Sequence, residues 1–64
     1  MDKREAWHKA LEELATQYVV NNVHFYEEAL RAAKDGWYST SYNYALKSGI
    51  PAYHLRPVYA LIFG

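Results

Sequence analysis

The sequence predicts a small all-α domain of three or four helices, and three observations support this fold class. The chain has 64 residues, the size of one domain, and no cysteine for a disulfide staple or a thiolate metal site. Hydrophobic residues make up 52% of it and aromatic residues 17%, so it is expected to form a core. Apolar residues recur at helical spacing, and glycines mark the expected helix ends.

The first predicted helix begins after Asp2. This residue can cap the helix, and Glu5 follows it at the spacing of a capping box. Apolar side chains then recur every three or four residues and form one stripe. The stripe consists of Trp7, Leu11, Leu14 and Tyr18. The sequence therefore predicts a helix that packs one face onto a core and leaves the other in solvent.

The asparagine pair Asn21-Asn22 leaves two predictions open for the next stretch. A single helix over residues 3–34 would be roughly 48 Å long, and polar residues in its apolar seam would favour a dimer. Alternatively, Asn22 caps a second helix over residues 23–34, and we favour this break. The buried face of the second helix would then consist of Val23, Tyr26, Leu30 and Ala33.

The third helix is predicted over residues 39–48. Asp35-Gly36 ends the preceding helix, with Gly36 suited to the left-handed conformation after the last turn. Candidate N-caps for the third helix are Ser39, Thr40 and Ser41. Its buried residues would be Tyr42, Ala45 and Leu46. Trp37, in the connection, is expected to join Trp7 in the core.

The last stretch combines turn signals with a local conflict. Gly49 suits a left-handed turn, and Pro51 suits the first turn of a fourth helix. Pro57 then falls inside that helix, where a proline costs about 3 kcal/mol. Residues 58–63 are either a helical segment that Pro57 opens or a strand, and we favour the helix. Because this run is apolar, it must cover the core or an interface, so a homodimer is expected.

Residues 41–60 have the spacing of a helix-turn-helix. The pattern contains a small residue, a turn glycine and three apolar residues, namely Ala45, Gly49, Ile50, Leu55 and Val58. In these positions the segment resembles the helix-turn-helix of phage Cro and repressor proteins. The resemblance implies a DNA-binding transcriptional regulator. The residues that would contact DNA are Lys47, Ala52, Tyr53, His54 and Arg56.

The charge distribution argues against DNA binding as the first choice. The chain has seven basic and seven acidic residues, whereas nucleic-acid-binding domains are usually basic. All seven acidic residues lie at or before Asp35, so the C-terminal half keeps a mild positive charge from Lys47 and Arg56. An acidic half beside a basic half suits self-association or docking on a charged protein surface.

Tyrosine is unusually abundant, which favours protein binding. The chain has seven tyrosines, and tyrosine is enriched at interfaces because it combines a large apolar ring with a polar tip. The candidate partner-binding residues are Tyr38, Tyr42, Tyr44, Tyr53, Arg56 and Tyr59. The sequence therefore predicts a small regulatory protein that docks on another protein, like the inhibitors and anti-activators that phages and mobile elements encode.

Catalysis, cofactors and metal binding are not expected. The three histidines, His8, His24 and His54, are far apart in the sequence, whereas metal ligands usually show closer spacing. The serines have the positions of caps and turn residues, and no nucleophile elbow surrounds them. No signal peptide or membrane span is expected, because charges interrupt the first apolar run, so a cytoplasmic protein is predicted.

Overall fold

A computed structural model, which describes residues 2–64, contains four helices packed around one core. The helices are α1 (Lys3–Gln17), α2 (Val23–Lys34), α3 (Tyr38–Ser48) and α4 (Ala52–Phe63). The described residues contain no strand, so the predicted all-α fold is confirmed and residues 58–63 are helical. Each of these helices falls short of the length or apolarity that crossing a lipid bilayer requires.

The start of α1 follows its sequence signals. The Asp2 carboxylate accepts the backbone N–H of Glu5 at 2.9 Å, and this hydrogen bond lowers the pKa of Asp2. Trp7, Leu11 and Leu14 are buried, and the half-buried Tyr18 ends the helix, so the predicted apolar stripe is confirmed. Trp7 is fully inaccessible to solvent and lies at the centre of the core.

The break before α2 is also confirmed. The side chain of Asn22 accepts the backbone N–H of Phe25 at 3.1 Å, which caps a helix with the predicted bounds. The prediction that Val23 is buried is wrong, since its side chain is 61% exposed. Val23 lies about 120° around the helix from Ala29. Ala29 and Ala33 are the fully buried residues of α2, and their small side chains allow α3 to approach closely.

The start of α3 differs from the prediction. The helix begins at Tyr38 with Trp37 as its N-cap residue, so none of the three predicted hydroxyl caps is used. Ser41 is instead fully buried. Its hydroxyl accepts a hydrogen bond from Trp7 Nε1 at 2.8 Å and donates one to the carbonyl of Ala29 at 2.7 Å. This serine therefore connects α1, α2 and α3 through one buried oxygen.

The turn between α3 and α4 is braced by the loop between α1 and α2. Gly49 has a φ of 111°, which confirms the predicted left-handed turn. Backbone N–H groups of Asn21 and Asn22 both donate to the carbonyl of Ser48, at 2.8 and 3.1 Å. The Ser48 hydroxyl is buried as well and donates to the carbonyl of Ala45 at 2.6 Å. Two distant connections are thereby held together.

One continuous helix, α4, contains Pro57. Pro51 is its N-cap residue, one position earlier than predicted, and Leu55 is its fully buried residue. The favoured prediction of a helix over residues 58–63 is confirmed, but Pro57 does not open a new segment, because one helix runs through the proline. The ring has no N–H to donate to the carbonyl of Tyr53 one turn back, so α4 forms with one hydrogen bond fewer than its length allows.

Replacing Pro57 with alanine should raise the free energy of unfolding by about 2 kcal/mol. The substitution removes the helix penalty of about 3 kcal/mol but gives the unfolded chain more freedom, which costs up to about 1 kcal/mol. Urea titration followed by circular dichroism measures the change. Arg56→Ala alters an exposed neighbour and keeps the proline, so it should shift stability by no more than about 0.5 kcal/mol. A loss of stability in Pro57→Ala would contradict this account of α4.

Candidate protein-binding surfaces

Four of the predicted partner-binding tyrosines pack against the core, namely Tyr38, Tyr42, Tyr44 and Tyr59, and three of them surround Trp7 and Phe63. The rings of Tyr42 and Tyr59 lie 6.4 and 5.2 Å from Trp7, measured between ring centroids. Tyr38 lies 4.4 Å from Phe63, which also contacts Trp7. Tyr38, Tyr42 and Tyr59 are half-buried, so most of the surface of each side chain packs against the core and is withdrawn from solvent. The larger exposed surfaces lie elsewhere.

One exposed surface runs along the outside of α4. It consists of Tyr53, Pro57, Ala60 and Leu61, and we call it the α4 crest. Tyr53 is 74% exposed and Leu61 is 86% exposed. The four residues have helical spacing, so they form a continuous apolar strip, with the exposed Arg56 on one side of it. Such a strip on a monomer marks a binding surface or an interface.

A shallow groove of about 340 Å³ follows the other side of the crest, between α1 and α4. Its lining residues are Ala10, Glu13, Leu14, Gln17, Tyr53, His54, Pro57 and Val58. We call it the α1–α4 groove. Its lining is mainly apolar and includes one charged side chain, Glu13. The groove and the crest are therefore adjacent surfaces that share Tyr53 and Pro57.

A second exposed surface lies across α2 and α3. It consists of the exposed Arg31, Trp37 and Lys47 and the half-buried Phe25 and Tyr44, and we call it the α2–α3 face. The Phe25 and Tyr44 rings stack with their centroids 5.8 Å apart, and Lys47 Nζ lies 5.7 Å from each centroid. Trp37 and Arg31 line a small cavity with Tyr44. The face thus combines three aromatic rings with two cationic side chains.

Trp37 was predicted to lie in the core, and this prediction is wrong because its side chain is 66% exposed. Gly36 and Trp37 form a helix-ending motif at α2, in which the Trp37 N–H donates to the carbonyl of Ala32 at 2.9 Å. The Trp37 carbonyl then accepts the N–H of Ser41 at 2.9 Å in the first turn of α3. The backbone of Trp37 is therefore fixed on both sides while its indole remains largely in water.

The residues predicted to contact DNA are divided between surfaces. Ala52, Tyr53 and Arg56 are exposed on α4, as predicted. His54 is half-buried, and its ring lies 4.5 Å from both Tyr18 and Tyr53. Lys47 belongs to the α2–α3 face. The exposed side of α4 therefore has one permanent positive charge, Arg56, beside an apolar crest.

The histidines occupy three separate environments. His8 Nδ1 lies 3.3 Å from a carboxylate oxygen of Glu12, His24 lies beside Phe25, and His54 lies among tyrosines. Within residues 2–64, no three histidine, aspartate or glutamate side chains approach closely enough to hold a metal ion. Among the large exposed apolar side chains, Trp37 lies on the α2–α3 face and Tyr53 and Leu61 lie on the α4 crest, so these two surfaces are the candidate binding sites.

Comparison with known proteins adds no relative to this description. No family model matches the chain, and searches of curated proteins and of solved structures found no significant match.

Proposed function

We propose that this protein is a small non-catalytic regulator that docks on another protein through the α2–α3 face. It would act as an inhibitor or anti-activator, of the kind that phages and mobile elements encode. The observation that carries the proposal is the exposed indole of Trp37 on a backbone fixed at both ends. Tryptophan, tyrosine and arginine are the residues that dominate binding energy at protein interfaces.

A comparison within the chain supports a binding role for Trp37. The α3 helix ends with the same motif as α2, in which Gly49 is followed by Ile50. Ile50 is almost completely buried, as is usual for the apolar residue after such a glycine, whereas Trp37 is exposed. The motif itself therefore does not force the indole into water. Because its backbone is already ordered, burying the indole in a partner costs little conformational entropy.

The surroundings of Trp37 define the chemistry of the partner. The indole requires an apolar pocket, and its N–H requires an acceptor at the pocket edge. Arg31 is paired with Glu28 at 3.3 Å, and Asp35 lines the same cavity as Trp37, so the cation of this face that forms no ion pair within residues 2–64 is Lys47. A partner with an apolar pocket and a nearby carboxylate, placed opposite Lys47, fits this surface.

Trp37→Ala should lower the affinity for the protein partner at least about 30-fold, the effect of removing a hot-spot residue worth about 2 kcal/mol. The partner is first captured from the native host lysate, then purified and titrated by calorimetry. Val19→Ala is the matched control. Val19 is an exposed apolar residue in the α1–α2 loop, which contacts the opposite end of α3. Equal affinities for the wild type and Trp37→Ala would remove the α2–α3 face from consideration.

A DNA-binding regulator is the second candidate. It is favoured by the left-handed turn at Gly49, which joins α3 to a helix with Arg56 exposed. The apolar crest weighs against it, because base edges are read mainly by polar side chains. Duplex binding that weakens steeply with salt, and less steeply in Arg56→Ala with Lys47→Ala, would support this candidate over the first.

A further inference from the structure

We propose that two copies of this chain form a symmetric dimer in which the α4 crest of each copy lies in the α1–α4 groove of the other. This inference goes beyond the proposed function and does not depend on it, because it uses a different surface. Two features carry it: an apolar strip beside a groove of matching character, and a pair of opposite charges placed on either side of them.

The crest and the groove are complementary in chemistry. The crest contains no charged side chain, and its two largest exposed residues, Tyr53 and Leu61, stand on either side of the smaller Pro57 and Ala60. The groove is floored by apolar residues of α1 and α4, among them Leu14 and Val58. A helix that lies in such a groove buries its apolar face against both walls, a common mode of helix recognition.

The charges indicate that the occupant is a second copy. Glu13 lines the α1 side of the groove, and Arg56 flanks the crest on the side away from the groove. Neither residue forms an ion pair within residues 2–64, where Glu28 pairs with Arg31 and Glu12 lies beside His8. When a two-fold axis seats each crest in the opposite groove, Arg56 of one copy turns toward Glu13 of the other. A two-fold interface repeats every contact, so one such pair becomes two.

A weak dimer requires only a small fraction of the surface of the chain. The chain has a surface of 4158 Å². A specific interface buries at least about 1,200 Å² in total, so each copy would cover about one seventh of its surface. The crest and the groove together extend along most of α4 and the facing part of α1. An interface at the low end of the size range is expected to dissociate in the micromolar range.

Substitutions that reverse the charge of Glu13 or of Arg56 test the proposed geometry of the dimer. We expect the wild type to sediment as a dimer at concentrations of about 100 µM, and Glu13→Arg and Arg56→Glu each to sediment as monomers, since each creates two like-charge contacts. An equimolar mixture of the two variants should dimerise again, because every facing pair then has opposite charges. Circular dichroism of each variant establishes that the monomers remain folded.

Glu12→Arg provides the control for net charge. Glu12 is the neighbouring exposed acid on α1, and its substitution changes the charge by the same amount. Glu12→Arg alone should dimerise within about threefold of the wild type, and its mixture with Arg56→Glu should associate at least about 10-fold more weakly than the Glu13→Arg mixture. A monomeric wild type at about 1 mM, dimeric single variants, or equal association of the two mixtures would each overturn the proposal.

Discussion

Trp7→Ala should have no cooperative thermal unfolding transition. Trp7 is fully buried, and its ring contacts Tyr42, Tyr59 and Phe63. Truncation of a buried tryptophan costs about 3–5 kcal/mol, and domains of this length have total stabilities of about 3–10 kcal/mol. The loss therefore removes most or all of the stability. Circular dichroism at 222 nm during heating measures the loss of stability. We expect the signal to change gradually with temperature, without a sigmoidal transition.

The hydrogen bond of Trp7 is separable from its packing. Trp7→Phe keeps an aromatic ring in the core but removes the donor to Ser41, while Ser41→Ala leaves the indole N–H buried without a partner. An unpaired buried polar group costs about 1–3 kcal/mol. Because Ser41→Ala creates this defect only when the indole is present, its cost should be smaller in the Trp7→Phe background. Additive costs would mean that the 2.8 Å contact contributes nothing measurable.

The sequence predicted the helices well because the interactions that begin and end a helix join residues close together in the chain. The Asn22 cap acts on a backbone N–H three residues away, and Gly36 and Gly49 end helices through bonds within six residues. The apolar stripe of α1 was likewise readable from spacing alone. These features depend on residues within about one or two helical turns of each other, so they can be predicted without knowing the rest of the structure.

The sequence did not predict features that depend on contacts between residues far apart in the chain. Ser41 has the residue type and position of a helix cap, and it is buried only because Ala29 on α2 brings the two backbones close. The exposure of Trp37 has a similar origin, since the local motif fixes its backbone but not what its side chain meets. Composition predicted a large aromatic surface, yet it did not distinguish the tyrosines that close the core from the residues that remain exposed.

Gly49→Ala should lower the free energy of unfolding by about 2–4 kcal/mol, and the cost should have two parts. A left-handed backbone costs a non-glycine residue about 1–2 kcal/mol, and φ is 111° here. A β-carbon at Gly49 would also lie 2.6 Å from Asn21 Nδ2, with two further atoms of that side chain within 3.2 Å. Because the Asn21 backbone N–H donates a hydrogen bond to the Ser48 carbonyl, the Asn21 side chain cannot move away freely from the added β-carbon. Urea denaturation measures the loss.

Gly36→Ala separates the two parts of this cost. Gly36 has a φ of 83°, but a β-carbon there would meet only the Arg4 side chain at 3.7 Å, an ordinary contact, so its substitution should cost about 1–2 kcal/mol. In an Asn21→Gly background the cost of Gly49→Ala should fall to the same value, because the overlapping side chain is gone. The difference between the costs of Gly49→Ala in the wild-type and Asn21→Gly backgrounds measures how tightly the α1–α2 loop is held against the turn that orients α4. Equal costs for Gly49→Ala in both backgrounds would show that this bracing is too loose to fix the direction of the crest.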